Sequence, residues 1–275
     1  MRKVSFFCTM DNRPIGIFDS GIGGLTLATA ILQALPSERL IYFGDTAHLP
    51  YGDKSEESIK EYSLRIADFL KNKDCKAILI ACNTASSIAF ESISNEYDFP
   101  VYNVIDPVTE SVAKSFTGKK VGVIGTKGTI ATKIYQRRLL AGDPSMIVVE
   151  KATTLLASMI EEGFHNDSIS KAVIQAYLED TQFVNLDALI PACTHYPLIS
   201  NQIHSFFEGT VNVIDAPRIV AEFIKSDLKQ RNLLATQSKS THKFFVSDRT
   251  EAFEKATRIF FGEELHLEEH RFLVQ

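Results

Sequence analysis

Short runs of Val, Ile, Leu and Phe recur along the chain, each followed by a longer segment in which apolar residues return with helical period. That alternation constrains the fold more than any other feature, because strand–helix–strand units build parallel sheets with helices packed on their faces. The strands are expected at Ile15–Asp19, Leu40–Phe43, Ala77–Ala81, Val101–Val104, Val121–Ile124, Ile147–Val149, Ala188–Pro191 and Val211–Ile214, with a later one at Lys243–Ser247. Helices are expected at Leu25–Leu35, Glu56–Leu70, Ser86–Asn95, Ile130–Ala141, Ser168–Leu178, Ala216–Lys229 and Thr250–Phe261. Runs this uniformly apolar fit sheets covered on both sides, so the fold class is α/β with mainly parallel sheets.

Two pairs of segments look alike. Gly16-Ile-Phe-Asp-Ser-Gly has a counterpart in Gly122-Val-Ile-Gly-Thr-Lys-Gly, and Ala77-Ile-Leu-Ile-Ala-Cys82 has one in Ala188-Leu-Ile-Pro-Ala-Cys193, in the same order. If the repeat is genuine, the chain holds two similar α/β domains, each with a cysteine at the end of a central strand. Pattern alone leaves the segment after Asp215, with its polar link at 235–240, free to close either domain or to form a tail.

The 275 residues are 45% hydrophobic and carry a formal charge of −5, with both signs interspersed. A chain of this size and composition buries a substantial core, in one large or two modest domains. It offers no basic stripe for nucleic acid. The four cysteines, Cys8, Cys75, Cys82 and Cys193, form neither a CxxC pair nor a zinc-ligand spacing, so neither a metal nor a disulfide scaffold is expected. No run reaches membrane-spanning length and the first residues lack a signal-peptide core, from which a cytoplasmic protein is expected.

In open α/β sheets, ligands bind beyond the carboxyl ends of the strands. The turns there read Asp19-Ser-Gly-Ile-Gly-Gly, Gly44-Asp-Thr, Cys82-Asn-Thr-Ala-Ser, Thr126-Lys-Gly-Thr and Cys193-Thr-His-Tyr-Pro. Hydroxyls, amides and free backbone N–H groups at helix starts can hold carboxylates without a cluster of arginines. Any one of these polar residues could merely cap its helix; five such turns together point to an amino or carboxylic acid ligand.

Cys82 and Cys193 each follow an apolar strand and precede a helix start, a setting expected to favour thiolate. A lone cysteine after a buried strand is more often a small core residue, but two in matching positions suit a particular task. Moving a proton off a carbon beside a carboxylate and returning one to the opposite face takes a base on one side and an acid on the other. Asp19 and His195 are the natural assistants, Asp19 for Cys82 and His195 for Cys193. Cys8 and Cys75 lack this context and read as structural or incidental. Gly21-x-Gly23-Gly24 is a weak dinucleotide motif, with Thr26 where a third glycine belongs and Asp19 at its mouth. Lys127, the one lysine in these turns, is a poor candidate for a pyridoxal phosphate Schiff base.

With these residues assembled, the chain resembles the glutamate racemases of the aspartate/glutamate racemase superfamily. The resemblance runs from Pro14 to about His270, through Gly16-Ile-Phe-Asp-Ser-Gly-Ile-Gly-Gly-Leu, Tyr42-Phe-Gly-Asp-Thr-Ala, Pro50-Tyr-Gly, Ala81-Cys-Asn-Thr-Ala-Ser, Val104-Ile-Asp-Pro, Gly125-Thr-Lys-Gly-Thr and Cys193-Thr-His-Tyr-Pro-Leu. It implies two three-layer α/β domains with the active site between them, 1–106 plus a returning 216–275, and 107–215. It implies catalytic Cys82 and Cys193 supported by Asp19 and His195. Substrate contacts would come from Asp19, Ser20, Tyr51, Gly52, Asn83, Thr84, Thr194 and His195, with Asp45, Thr126, Thr129 and Glu161 as candidates for supporting roles. Neither metal nor organic cofactor is implied; the partners would be glutamate and a second copy of the chain, and the product D-glutamate for peptidoglycan. An aspartate racemase or another superfamily member is the nearest rival, and a non-enzymatic carboxylate binder a more distant one. The superfamily's decarboxylases lack one of the two cysteines. The sequence departs from the family pattern at Ile190-Pro-Ala, at the run from Lys151 to Met159, and at Ala-Pro-Arg after Asp215. Pro191 leaves the register of its strand end open.

Overall fold

The structure is a computed structural model that describes residues 11–236 and 241–272; Cys8 and part of the 235–240 link lie outside them. In chain order the elements are β1 (Ile15–Asp19), α1 (Leu25–Ala34), β2 (Leu40–Gly44), α2 (Glu56–Asn72), β3 (Ala77–Ile80), α3 (Asn83–Ser94), β4 (Val101–Asn103) and α4 (Ile105–Ser115). There follow β5 (Lys120–Gly125), α5 (Lys127–Ala131), α6 (Ile134–Gly142), β6 (Ile147–Ala152), α7 (Leu156–Glu161), α8 (Ser168–Leu178), β7 (Ala188–Ala192), α9 (Ser200–Phe206) and β8 (Asn212–Val213). The last are α10 (Ala216–Gln230), β9 (Lys243–Val246), α11 (Glu251–Phe261) and β10 (Glu268–Glu269).

The strands form two sheets, both parallel throughout: a six-stranded one in the order β10-β9-β2-β1-β3-β4 and a four-stranded one in the order β6-β5-β7-β8. Stripped of β9 and β10, the first sheet has the same topology as the second, with β1 matching β5 and β3 matching β7. The sequence repeat is therefore a structural one. After the second sheet the chain returns to the first, where β9 pairs with β2, Phe245 opposite Phe43.

Every residue of β1, β2, β3 and β7 is buried, which is why their sequences are apolar on both faces rather than alternating. Edge strand β6 is only partly buried and carries Glu150 and Lys151, which pair with Lys133 and Asp180. Helix α1 packs on α10, and α4 packs on both α6 and α10. No helix among the described residues is long and apolar enough to cross a membrane.

Three local expectations change, and one left open is settled. The stretch Ile130–Ala141 is two helices, because Lys133 adopts φ 56° and breaks the ladder between α5 and α6. The break lets α5 pack on the turn at Tyr51–Asp53 while α6 lies on α4. Helix α3 starts three residues early, at Asn83, and makes Cys82 its N-cap. Helix α4 was hidden by Pro107, which a first turn tolerates; Asn103 Oδ1 starts it by accepting from the N–H groups of Ile105 and Asp106, both at 2.8 Å. Pro191 keeps β7 in register opposite Ile124, and β8 pairs only as far as Leu189, so a residue without an N–H is accommodated beyond its end.

Candidate active site

The carboxyl ends of β1, β3, β5 and β7 converge on one narrow cavity of about 50 Å³, which both Cys82 and Cys193 line. Ser20, Tyr51, Gly52, Asn83, Thr84, Thr126, Glu161, Thr194 and His195 share its wall. Asp19, Asp45 and Thr129 stand directly behind that wall.

Asp19 is fully buried at the end of β1. Its Oδ2 accepts from the N–H groups of Gly21 (3.2 Å) and Gly24 (3.0 Å), and its Oδ1 from the Thr194 hydroxyl at 3.5 Å. Burial pushes its carboxyl above the ordinary carboxylate range, opposed by His195 and the two amides. The tight turn explains its glycines: a Cβ on Gly24 would lie 2.6 Å from Asp19 Cβ, and one on Gly23 would lie 2.4 Å from the His195 ring.

Cys82 sits where β3 gives way to α3, with extended backbone at φ −63°, ψ 123°. Its Sγ accepts from the Ala85 N–H at 3.4 Å and donates to Ser20 Oγ at 3.6 Å. The helix start was expected to favour thiolate. Instead burial, with Asp19 nearby, pushes Cys82 up to about 12, outweighing the two hydrogen bonds that pull it down. Asp19 thus acts on Cys82 through its field, while the side chain that hydrogen-bonds the thiol is Ser20.

Cys193 follows β7, and its Sγ lies 3.5 Å from His195 Nδ1. His195 Nε2 is 2.8 Å from Glu161 Oε1 on α7, and Phe260 of α11 packs edge-on against the ring. Burial pulls His195 down, but its interactions with Cys193 and Glu161 outweigh burial and raise it to about 10. His195 is thus placed to exchange a proton with Cys193.

The remaining wall is polar and crosses between the two sheets. Thr84 Oγ1 lies 2.9 Å from Thr126 Oγ1 and 3.2 Å from Thr129 Oγ1. The Thr194 carbonyl accepts from the Thr26 hydroxyl at 2.9 Å. Asp45 accepts from Tyr51 (2.6 Å), Ser247 (2.6 Å) and the His48 ring (2.9 Å), so it fixes the Tyr51–Gly52 turn from behind. Two contributors had no local signature: Ser247 arrives on the returning C-terminal segment, and Tyr135 of α6 reaches across to Asn83. Among the described residues no group of three or more His, Cys, Asp or Glu could hold a metal ion.

A two-sheet α/β protein that directs two buried thiols, each from the same position of a repeated unit, into one polar cavity belongs to the class of acid–base enzymes acting on small carboxylates. The family model described as Asp/Glu/Hydantoin racemase matches residues 24–224, and the chain belongs to that family. It is 41% identical to the glutamate racemase of Aquifex aeolicus over 91% of this chain and 95% of that protein. A crystal structure of the Francisella tularensis glutamate racemase in complex with D-glutamate superposes with a TM-score of 0.88, at 38% identity, covering 94% of this chain and 98% of that one. A glutamate racemase isoform from Bacillus anthracis superposes at 0.91, with 30% identity over 96% of this chain and 100% of that one.

Proposed function

We propose that this chain is a glutamate racemase, an isomerase that interconverts L- and D-glutamate by moving a proton at Cα between Cys82 and Cys193. One observation carries the reading: the two thiols end matching strands of the two sheets and line one cavity. A substrate held between them offers one face of its α-carbon to each. On one side His195 takes the Cys193 proton, its imidazolium held by Glu161 at 2.8 Å, which leaves a thiolate to abstract the α-proton. On the other, Cys82, pushed up to about 12, is a thiol at neutral pH and serves as the acid. The reverse direction exchanges the roles. Ser20 and the nearby Asp19 stand beside Cys82 to manage its proton. Ser20, Tyr51, Gly52, Asn83, Thr84, Thr194 and His195 contact the substrate, and Asp45, Thr126 and Thr129 hold that wall in place. The start of α3 adds free N–H groups that favour a carboxylate. By the same reading the reaction runs without metal or organic cofactor.

Glutamate as the substrate is supported by the relatives, glutamate racemases along most of the chain, one of them crystallised with D-glutamate. By the same reading the protein is cytoplasmic, works as a homodimer and supplies D-glutamate for peptidoglycan. It divides into 1–106 plus 216–275 and 107–215, a division supported by the pairing of β9 with β2.

Proton exchange in D₂O tests the function. Purified protein with no added cofactor is expected to replace the Cα hydrogen of glutamate with deuterium, faster than that of aspartate. Absence of exchange with any amino acid would sink the enzyme reading, and preference for aspartate would move the chain to the neighbouring activity. Cys82→Ser and Cys193→Ser should each abolish racemisation, and full activity in either would remove that residue from its role.

A further inference from the structure

We infer that Tyr135, which no motif of the sequence singles out, is a positioning residue for substrate binding: it sets the orientation of the Asn83 side-chain amide so that only N–H donors face the substrate. The inference rests on the glutamate racemase reading above.

Tyr135 lies on α6, attached to the second sheet, and is 2% exposed. Its hydroxyl lies 2.5 Å from Oδ1 of Asn83, the first residue of α3, which follows Cys82 directly. The surroundings of the hydroxyl decide the direction of this bond. Tyr135 and Asn83 share a small cavity lined by apolar Val104, Pro191 and Val220 and also by Thr26, Cys193 and Thr194, but among the described residues none of these hydrogen-bonds the phenol, whose partner is Asn83. A buried phenol that accepted from the amide would leave its own proton unsatisfied, whereas donating to Oδ1 satisfies it. With Oδ1 engaged, the far end of the amide is Nδ2, for which no protein acceptor is found among the described residues, and Asn83 also lines the cavity between the two thiols.

The consequence is electrostatic. An unconstrained asparagine presents either a donor or an acceptor, and the acceptor end would face a carboxylate with like partial charge. Tyr135 removes that alternative. Because the bond spans elements of both sheets, α3 of the first and α6 of the second, the donor is fixed when the halves stand as they do here.

The test is Tyr135→Phe, which keeps the ring and its packing and removes only the hydroxyl. Steady-state racemisation from each enantiomer is measured for the wild type, Tyr135→Phe, Asn83→Ala and the double variant. Loss of the fixed amide is expected to raise KM for L- and D-glutamate by the same factor, about tenfold, with kcat changed less than about threefold. In the Asn83→Ala background Tyr135→Phe should have no further effect on KM. An unchanged KM in Tyr135→Phe, a loss confined to kcat, or an equal KM increase in the Asn83→Ala background would overturn the inference. Absence of glutamate racemisation by the wild type would instead overturn the underlying functional reading.

Discussion

Cys82 and His195 both hold protons more tightly than their ordinary values, for different reasons. Burial disfavours the Cys82 thiolate, while Cys193 and Glu161 favour the His195 imidazolium against burial. The sign of the effect on stability is the same. Cys82 moves from near 9 to about 12 and His195 from 6.5 to about 10, so between those limits the folded chain binds more protons than the unfolded one. Their contribution is complete below the unfolded values and is lost as pH rises through the folded ones. Cys75, buried against Leu70 and the backbone at Gly16, behaves as Cys82 does and also reaches about 12. The urea midpoint should therefore fall between pH 7 and pH 10, and Cys75→Ala should remove part of that fall without affecting turnover. A midpoint independent of pH over this range would contradict the burial argument. At the same scale, Gly23→Ala would drive a methyl into the His195 ring. Displacing that ring should lower kcat by about a hundredfold, with far-ultraviolet circular dichroism unchanged.

Helix ends show how elements serve either stability or the site. Helix α8 opens with a capping box: Asp167 Oδ1 accepts from the Ser170 N–H at 2.9 Å, and the Ser170 hydroxyl accepts from the Asp167 N–H at 3.1 Å. Neither capping residue lines the cavity of the thiols, so Asp167→Ala should cost about 1 kcal/mol of unfolding free energy and leave racemisation intact. Helix α3 places Cys82, the thiol proposed to act on the substrate, at the equivalent position. Sulfur is a poorer acceptor than a carboxylate or hydroxyl oxygen, so that end of α3 is capped more weakly than that of α8. The break between α5 and α6 also shapes the cavity wall: Thr126 and Thr129 before it meet Thr84, and Tyr135 after it reaches Asn83.

Across the whole molecule, the end opposite the cavity is fastened by a buried ion pair. Lys76 Nζ, just before β3, lies 2.6 Å from Glu38 Oε2 and donates to the carbonyls of Asp11 and Leu233, each at 2.6 Å. Glu38 Oε1 accepts from the Ala235 N–H at 2.8 Å. One lysine thus ties the stretch before β1 and the segment after α10 to the first sheet. Lys76→Met would leave the buried Glu38 carboxyl without its partner, at a cost of about 3–5 kcal/mol. Unfolding of that variant should show the loss, and adding Glu38→Leu should recover much of it. A Lys76→Met protein as stable as the wild type would mean that the pair does not fasten these two segments.

The sequence by itself determined the α/β class, the position of nearly every strand, the repeat and the two strand-end cysteines. These are local properties: burial on both faces makes a strand apolar throughout, and a ligand turn must follow the strand that carries it. Its motifs also carried most residues of the cavity wall, from Ser20 to His195, but not Leu49, Ala157 or Ser158. Only the tertiary structure decided that Cys82 is pushed up rather than down, because the balance between burial and a helix start depends on what packs around the sulfur. It alone brought Ser247 to Asp45 and Tyr135 to Asn83, pairs separated by 202 and 52 residues, whose partners no local pattern specifies. A turn's chemistry is written in the few residues that form it, whereas the field and hydrogen-bond partners of a buried group belong to the packing of the whole chain.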